Sequence, residues 1–430
     1  MLSRSDAEKT TAVSHRPPQI RRPTYDVNQR PFLVIWEVTR ACDLACVHCR
    51  AEALSLRNPL ELSTQQGFEL IDQIAAFGSP LPLFVITGGD PLKRPDLLDL
   101  VAHAHKRGLP VAFSPSATPL LTADKIAALK DAGVKALSLS LDGASPETHD
   151  AFRRVDGVFD RTTAAWGEAQ KLGLKVQINT TVAERNLLEM PAIANLVRDR
   201  GAILWSVFFL VPVGRATTMH PISPADCEDL MHFLYEVGKT IAVKTTEAPH
   251  FRRIILERVV LEALSLNPQD VLALGPVYRS LKAGLAGWDS REKIRRPPMD
   301  VNAGQGFVFV SHIGEVHPSG FLPAGAGNVR NQPLTKIYRE SELFNALRDD
   351  RRLRGRCGAC EFREVCGGSR SRAYAATGDY LGEDPLCSYV PGSFPYQAEI
   401  AQALRTQVRA AAGAAEGPEN QNAKVARRTI

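Results

Sequence analysis

The sequence predicts an α/β fold, a partial (β/α)6 barrel followed by a smaller C-terminal domain. Three observations lead there. Six short β-rich apolar runs recur in the first half of the chain, a polar loop and an amphipathic helical stretch follow each, and after about Pro221 the alternation fades toward a cysteine-rich region. Right-handed crossovers wind such units in one direction, so six of them curl into an open version of the eight-fold TIM-like barrel. At 430 residues the chain is long enough for a large domain plus a small one.

In chain order, residues 1–30 are polar, with Arg-Pro-Pro and Arg-Arg-Pro clusters, and are expected to form a flexible lead-in. Strands are expected over Phe32–Val38, Leu83–Thr87, Pro110–Phe113, Ala136–Leu141, Val176–Val182 and Leu204–Leu210. Helices fall between them at Thr64–Phe77, where Ser63 and Gln66 spell a capping box, at Asp96–Arg107 and Ala123–Ala132, each ended by glycine, and at Arg161–Leu172 and Met190–Arg200. Two more helical stretches, Ala225–Val237 and Phe251–Leu264, precede a β-prone segment from Gly306 to Val316. The expected division is a barrel domain over 31–295, a cysteine-rich domain over 296–395, and over 396–430 a last helix turn with a disordered tail.

A hydrophobic content of 44% with 23% charged residues is that of a globular protein and excludes wholesale disorder. The net charge of +5 is spread over 52 basic and 47 acidic side chains and gives no nucleic-acid signature. No run approaches the roughly 18 apolar residues of a membrane span, and the N-terminus lacks the apolar core of a secretory signal, so a cytoplasmic protein without membrane partners is expected. In that compartment thiols stay reduced, and eight cysteines point to metal ligation or catalysis before disulfides.

Cys42, Cys46 and Cys49 form CxxxCxxC directly after the first expected strand, where a barrel places its active-site loops. Three thiolates satisfy three irons of a cubane cluster and leave one for a small molecule. A zinc site or buried thiols is the plainer alternative, and the strand context favours the cluster.

This loop resembles that of the radical S-adenosylmethionine superfamily, and the likeness runs over most of residues 30–392. It implies a [4Fe-4S] cluster on the three cysteines and reductive cleavage of S-adenosylmethionine to a 5'-deoxyadenosyl radical that abstracts hydrogen from substrate. The family's glycine-rich segment resembles Thr87-Gly88-Gly89-Asp90-Pro91, which would meet the methionine amino group. By the same resemblance Ser116, Ser140, Asp142 and Asn179 would line the nucleoside, and Arg153, or its neighbour Arg154, would lie near the methionine carboxylate. His48 takes the aromatic site before the third cysteine.

Cys357, Cys360 and Cys366 form CxxCx5C, and Cys387 completes a set of four. A zinc ribbon satisfies this set too. The region resembles the SPASM or twitch auxiliary-cluster extension of the superfamily, which implies one auxiliary iron–sulfur cluster, of [4Fe-4S] type, for electron transfer. Ser319 stands where the two-cluster version has cysteine. Cys227, on an expected helix far from both groups, reads as a core or surface thiol.

Around Cys-Gly-Gly-Ser-Arg-Ser-Arg-Ala-Tyr the chain resembles the branch that trims haem-type tetrapyrrole side chains by losing a carboxyl fragment. A peptide-modifying maturase is the second enzyme reading, and a non-catalytic electron carrier or zinc-binding adaptor the reading of another class. The resemblance implies a small-molecule or peptide substrate and a reducing partner such as flavodoxin or ferredoxin. Arg215, Glu247 and His250 are candidate groups at the barrel mouth, while Arg370 and Arg372 could meet carboxylates or form surface ion pairs.

Overall fold

The computed structural model describes residues 20–288 and 296–415, with side chains to residue 407. Strands β1 (Leu33–Glu37), β2 (Leu83–Thr87), β3 (Val111–Phe113), β4 (Val134–Ser140), β5 (Lys175–Val182), β6 (Leu204–Phe209) and β7 (Val243–Thr246) run parallel in sequence order. On the far side of β1 lies β8 (Phe307–Val310), also parallel, then the antiparallel β9 (Glu315–His317) and β10 (Gly327–Asn328). The six expected strands are all present within two residues at either end.

Helices α1 (Thr64–Ala75), α2 (Leu97–Lys106), α3 (Ala123–Ala132), α4 (Pro146–Arg153), α5 (Val158–Lys171), α6 (Met190–Asp199), α7 (Pro224–Val237) and α8 (Phe251–Ala263) connect them. The α1 start is fixed as its sequence suggests: Ser63 accepts from Gln66 N, and the Gln66 side chain accepts from Ser63 N. Alternation along each strand divides the side chains. Val34, Trp36, Ile178, Trp205 and Val243 join the helices in one large core, so their neighbours Ile35, Asn179, Ser206 and Lys244 face the other way.

That other face is concave. In a flat sheet β9 and β7 would stand eight strand steps apart, about 38 Å at the usual spacing. Instead Ser319, just after β9, donates to Glu247, just after β7, at 2.9 Å, and the Phe208 and Phe321 rings lie 6.2 Å apart. The sheet therefore curls until its margins meet, as a partial barrel requires.

Several expectations need correction. The sheet has ten strands, because Val-Lys-Thr-Thr of β7 carries too little apolar character to announce itself and β8 lies in the segment assigned to the second domain. The expected boundary at 295 lies outside the described residues. Of the N-terminal lead-in, residues 1–19 lie outside them too, but Ile20 is buried and donates its amide to Gln407, and Arg21 pairs with Pro298, so residues 20–30 belong to the packed body. The C-terminal helix runs Gln397–Ala415, well beyond one turn, with Ile400 and Ala403 packed on Ile20 and α8 residues; the rest of the expected tail, 416–430, lies outside the description. No helix among the described residues is long and apolar enough to cross a membrane.

Candidate active site and second thiol site

Cys42, Cys46 and Cys49 sit on the loop after β1 in a small apolar cup with Leu44, Ala53, Ala117 and Val158. All three are free thiols. Donors point at two of the sulfurs: Leu44 N lies 3.3 Å from Cys42 Sγ and Arg153 Nη1 lies 3.6 Å from Cys46 Sγ, while the Ser116 oxygen stands 3.5 Å from Cys42 Sγ. Burial raises the Cys42 thiol above its ordinary range, so an uncompensated thiolate is disfavoured there. A trio of soft sulfur donors, two buried and Cys49 half-buried, with N–H groups on Cys42 and Cys46, fits an anionic iron–sulfur cluster.

The loop backbone is clamped from two sides. Gly89 N donates to Thr39 O at 2.8 Å and Asp90 N to Ala41 O at 2.6 Å. A Cβ on Gly88 would stand 2.8 Å from Thr39 O, and one on Gly89 would stand 2.6 Å from both Arg40 O and Ala41 O. The glycines thus let β2's exit segment lie flat on the cysteine loop. Asp90 is buried and accepts from Leu92 N and Thr118 Oγ1, while Ser116 donates to Gly89 O at 2.6 Å, which joins the exits of β2 and β3; Pro91 opens the following turn. From the other side Arg215 donates to Cys46 O at 2.9 Å and Ala53 O at 3.3 Å, and its buried Nη2 has no partner. Arg215 therefore holds the cluster loop instead of standing free at the mouth.

Asp142, at the exit of β4, is 1% exposed and pairs with Arg153. Burial alone would raise its pKa, yet Arg153 and the neighbouring histidines hold it below the usual value, and Thr181 N adds a 2.7 Å hydrogen bond. His48 Nε2 stands 3.7 Å from the same carboxylate. Arg154 is exposed in a left-handed conformation, so of the two arginines only Arg153 reaches the loop. Ser140 and Asn179 are register partners on the concave face, both half-buried, with Asn179 accepting from Gln177 Nε2. The structure thus gathers the N-terminal candidates at the exits of β1 to β4, with Asn179 inside β5 level with the end of β4.

Cys357, Cys360, Cys366 and Cys387 line one cavity with His250, Arg253 and Arg356. Burial raises Cys360 to about 12 and lifts Cys366 and Cys387 as well. Gly368 N lies 3.4 Å from Cys366 Sγ, and Arg370 Nη2 lies 3.6 Å from Cys357 Sγ. Gly368 has φ +65°, and an added Cβ would come within 2.6 Å of that guanidinium. Four free thiols converging in one cavity fit a thiophilic metal centre. Arg370 and Arg372 are 2% and 3% exposed, which excludes surface ion pairs: Arg370 donates to Gly368, Tyr380 and Gly382 carbonyls, Arg372 to Asp384. Cys227 is not far from this site, since its Sγ lies 3.4 Å from His250 Nε2.

Glu247 also proves central. Held at φ +56°, its carboxylate accepts from Ser319, Ser369 and Ser371, and its carbonyl from Arg372. Ser319 thus serves a carboxylate, and sequence gave no sign of the serines converging from 72 to 124 residues away.

Two buried histidines predict acid sensitivity. Desolvation lowers His149 and His250 to about 4, against an ordinary value of 6.5. The unfolded chain then binds protons that the folded protein refuses between those values, so stability is full above pH 6.5 and lost as pH falls toward 4. The loss is about 3 kcal/mol per histidine. Urea unfolding at pH 7 and pH 4.5 should show the drop, and His149→Gln should shrink it; an unchanged pH slope in that variant refutes the assignment.

Fold and loop together define a class, partial-barrel enzymes with a three-cysteine iron–sulfur centre at the mouth. The family model for the radical SAM superfamily matches residues 36–197. An AdoMet-dependent heme synthase of Methanosarcina barkeri is 42% identical over 364 residues, 84% of this chain and 97% of that protein. One from Nitratidesulfovibrio vulgaris is 40% identical over 84% of this chain and 92% of its own length. Streptococcus suis SuiB bound to S-adenosylmethionine has a similar fold, with a TM-score of 0.60 over 84% of this chain and 78% of that one at 14% identity. This chain belongs to the radical S-adenosylmethionine superfamily. It is an enzyme, and S-adenosylmethionine and an iron–sulfur cluster are its cofactors.

Proposed function

We propose that the enzyme trims carboxylate-bearing side chains of an iron tetrapyrrole, releasing a carboxyl fragment after hydrogen abstraction. The observation that carries this reading is the likeness to heme synthases over nearly their whole length. The concave face supports it: half-buried Ile35, Val85, Phe208 and Phe307 offer apolar wall to a flat macrocycle.

Cys42, Cys46 and Cys49 hold the catalytic cluster in this reading. When bound, that cluster supplies the electron that cleaves S-adenosylmethionine to a carbon radical. Gly88, Gly89, Asp90 and Pro91 fix the loop and the methionine end, Ser116, Ser140 and Asn179 face the nucleoside, and Arg153, steadied by Asp142, spans the cluster and the methionine carboxylate. Cys357, Cys360, Cys366 and Cys387 hold one auxiliary cluster, which takes up or delivers an electron. The working division remains a barrel unit over 31–295 and an auxiliary unit over 296–395, with β8 lent by the second to the first sheet. A flavodoxin- or ferredoxin-like reductant in the cytoplasm completes the system.

The test is anaerobic incubation of the reduced, reconstituted protein with S-adenosylmethionine and an iron porphyrin bearing propionates. The expected result is 5'-deoxyadenosine together with porphyrin lighter by carbon dioxide and two hydrogens for each side chain converted. Deoxyadenosine with unaltered porphyrin refutes the substrate, and a mass change in a supplied peptide instead would establish the maturase reading.

A further inference from the structure

The seven buried arginines of the described residues all have partners, six a carboxylate and Arg370 a set of carbonyl oxygens. Lys244 does not follow that rule. It is the second residue of β7, and the register carries its orientation: Asn179 pairs with Ser206, and Ser206 with Lys244, so the three point to one side. Val243 enters the core between sheet and helices, which leaves Lys244 and Thr246 on the concave side, and the 3.4 Å approach of Ser206 Oγ to Thr246 Oγ1 agrees.

Lys244 is half-buried there and makes no hydrogen bond or ion pair with any described residue. Among β1–β7, the concave face carries one carboxylate, Glu37, which Arg50 and His312 already hold at 2.8 and 3.0 Å. Glu247, next in chain after β7, is committed to its three serines. An ammonium partly withdrawn from water with no acid beside it is disfavoured, and a fold keeps one on a concave face where a ligand can supply the missing charge.

We propose that Lys244 is the anchor for a carboxylate of the substrate, fixing an acidic side chain of the ligand inside the barrel, in the same register row as Asn179 and Ser206. The ligand class is an apolar body bearing carboxylates, since the cation shares the concave face with the aliphatic and aromatic side chains Ile35, Val85 and Phe208; that the body is a tetrapyrrole rests on the reading above. Desolvation, helped by the nearby Arg296, lowers Lys244 to about 8, in keeping with a site whose counter-charge arrives with the ligand.

The test uses the full-length holoprotein and two probes read by visible absorption, an iron porphyrin with free propionates and its methyl ester. Lys244→Met should weaken binding of the free acid roughly ten- to hundredfold, the size of one charged hydrogen bond, and leave the ester unaffected. Lys244→Arg should keep most of the affinity. Equal binding of the acid by wild type and Lys244→Met overturns the proposal. If Lys244→Met fails to fold, the wild-type preference for acid over ester, together with protection of Lys244 from acylation by the acid and not the ester, decides the same question. Should the wild type bind neither porphyrin, the tetrapyrrole reading falls, and the anchor is then judged by whether glutarate slows Lys244 acylation where its diamide does not; no slowing overturns it too.

Discussion

Cys46→Ala is expected to abolish 5'-deoxyadenosine formation completely and to remove the N-terminal cluster, while iron at the four C-terminal cysteines stays. The loop supplies three thiols and no fourth, so two remaining sulfurs cannot retain a cubane that already relies on a small molecule for its last iron. The fold should survive, because Arg153, which now points Nη1 at Cys46 Sγ, keeps Asp142 as its buried counter-ion. Chemical iron analysis, the electron paramagnetic resonance of the reduced protein, and chromatography of the nucleoside products read the three parts of the claim. Cys227→Ala is the control: that thiol is fully buried in the core, and its loss should cost roughly 1 kcal/mol of stability and neither cluster. A Cys46→Ala protein that still cleaves S-adenosylmethionine would move the catalytic cluster elsewhere.

What the sequence made legible was whatever is written locally. The strands from Leu33 to Phe209 announce themselves by short apolar runs, the α1 start by Ser63 and Gln66, and the cysteine loop by its spacing after β1. The α4 helix was missed because Pro146–Arg153 is short and mostly polar, and β7 because only Val243 of its four residues is apolar. Long-range polar convergence leaves no period at all. Glu247 meets Ser371 across 124 residues, and nothing near either position marks the contact. Burial of Arg370 and Arg372 was hidden even though the Gly382 carbonyl and Asp384 lie only 12 residues on, because an arginine is written identically whether its partner is water or an interior acceptor. Lys244 illustrates the converse, since its side became clear only through the register of β5, β6 and β7.

The second large effect concerns how the C-terminal thiol site is seated. Asp384 is 1% exposed and accepts four hydrogen bonds, from Ser369 N, Leu386 N, and Nε and Nη2 of Arg372. Arg372 in turn donates to the carbonyls of Leu210, after β6, and Glu247, after β7. One buried pair therefore fastens the segment carrying Cys387 to two strand ends of the barrel. Asp384→Ala should cost about 3–5 kcal/mol, because it strands a guanidinium in the interior as well as releasing two backbone amides. The damage should be local first: Leu386 N loses its acceptor one residue before Cys387, so C-terminal iron should be lost before the N-terminal cluster signal fades. Arg372→Met combined with Asp384→Leu removes both charges and should recover much of the loss in urea unfolding, since the expense lies in the unpaired charge more than in the missing attraction. A single variant that loses under about 1 kcal/mol, or a double variant no better than Asp384→Ala, would mean that the apolar contacts of Leu386 seat this segment and that the ion pair merely accompanies them.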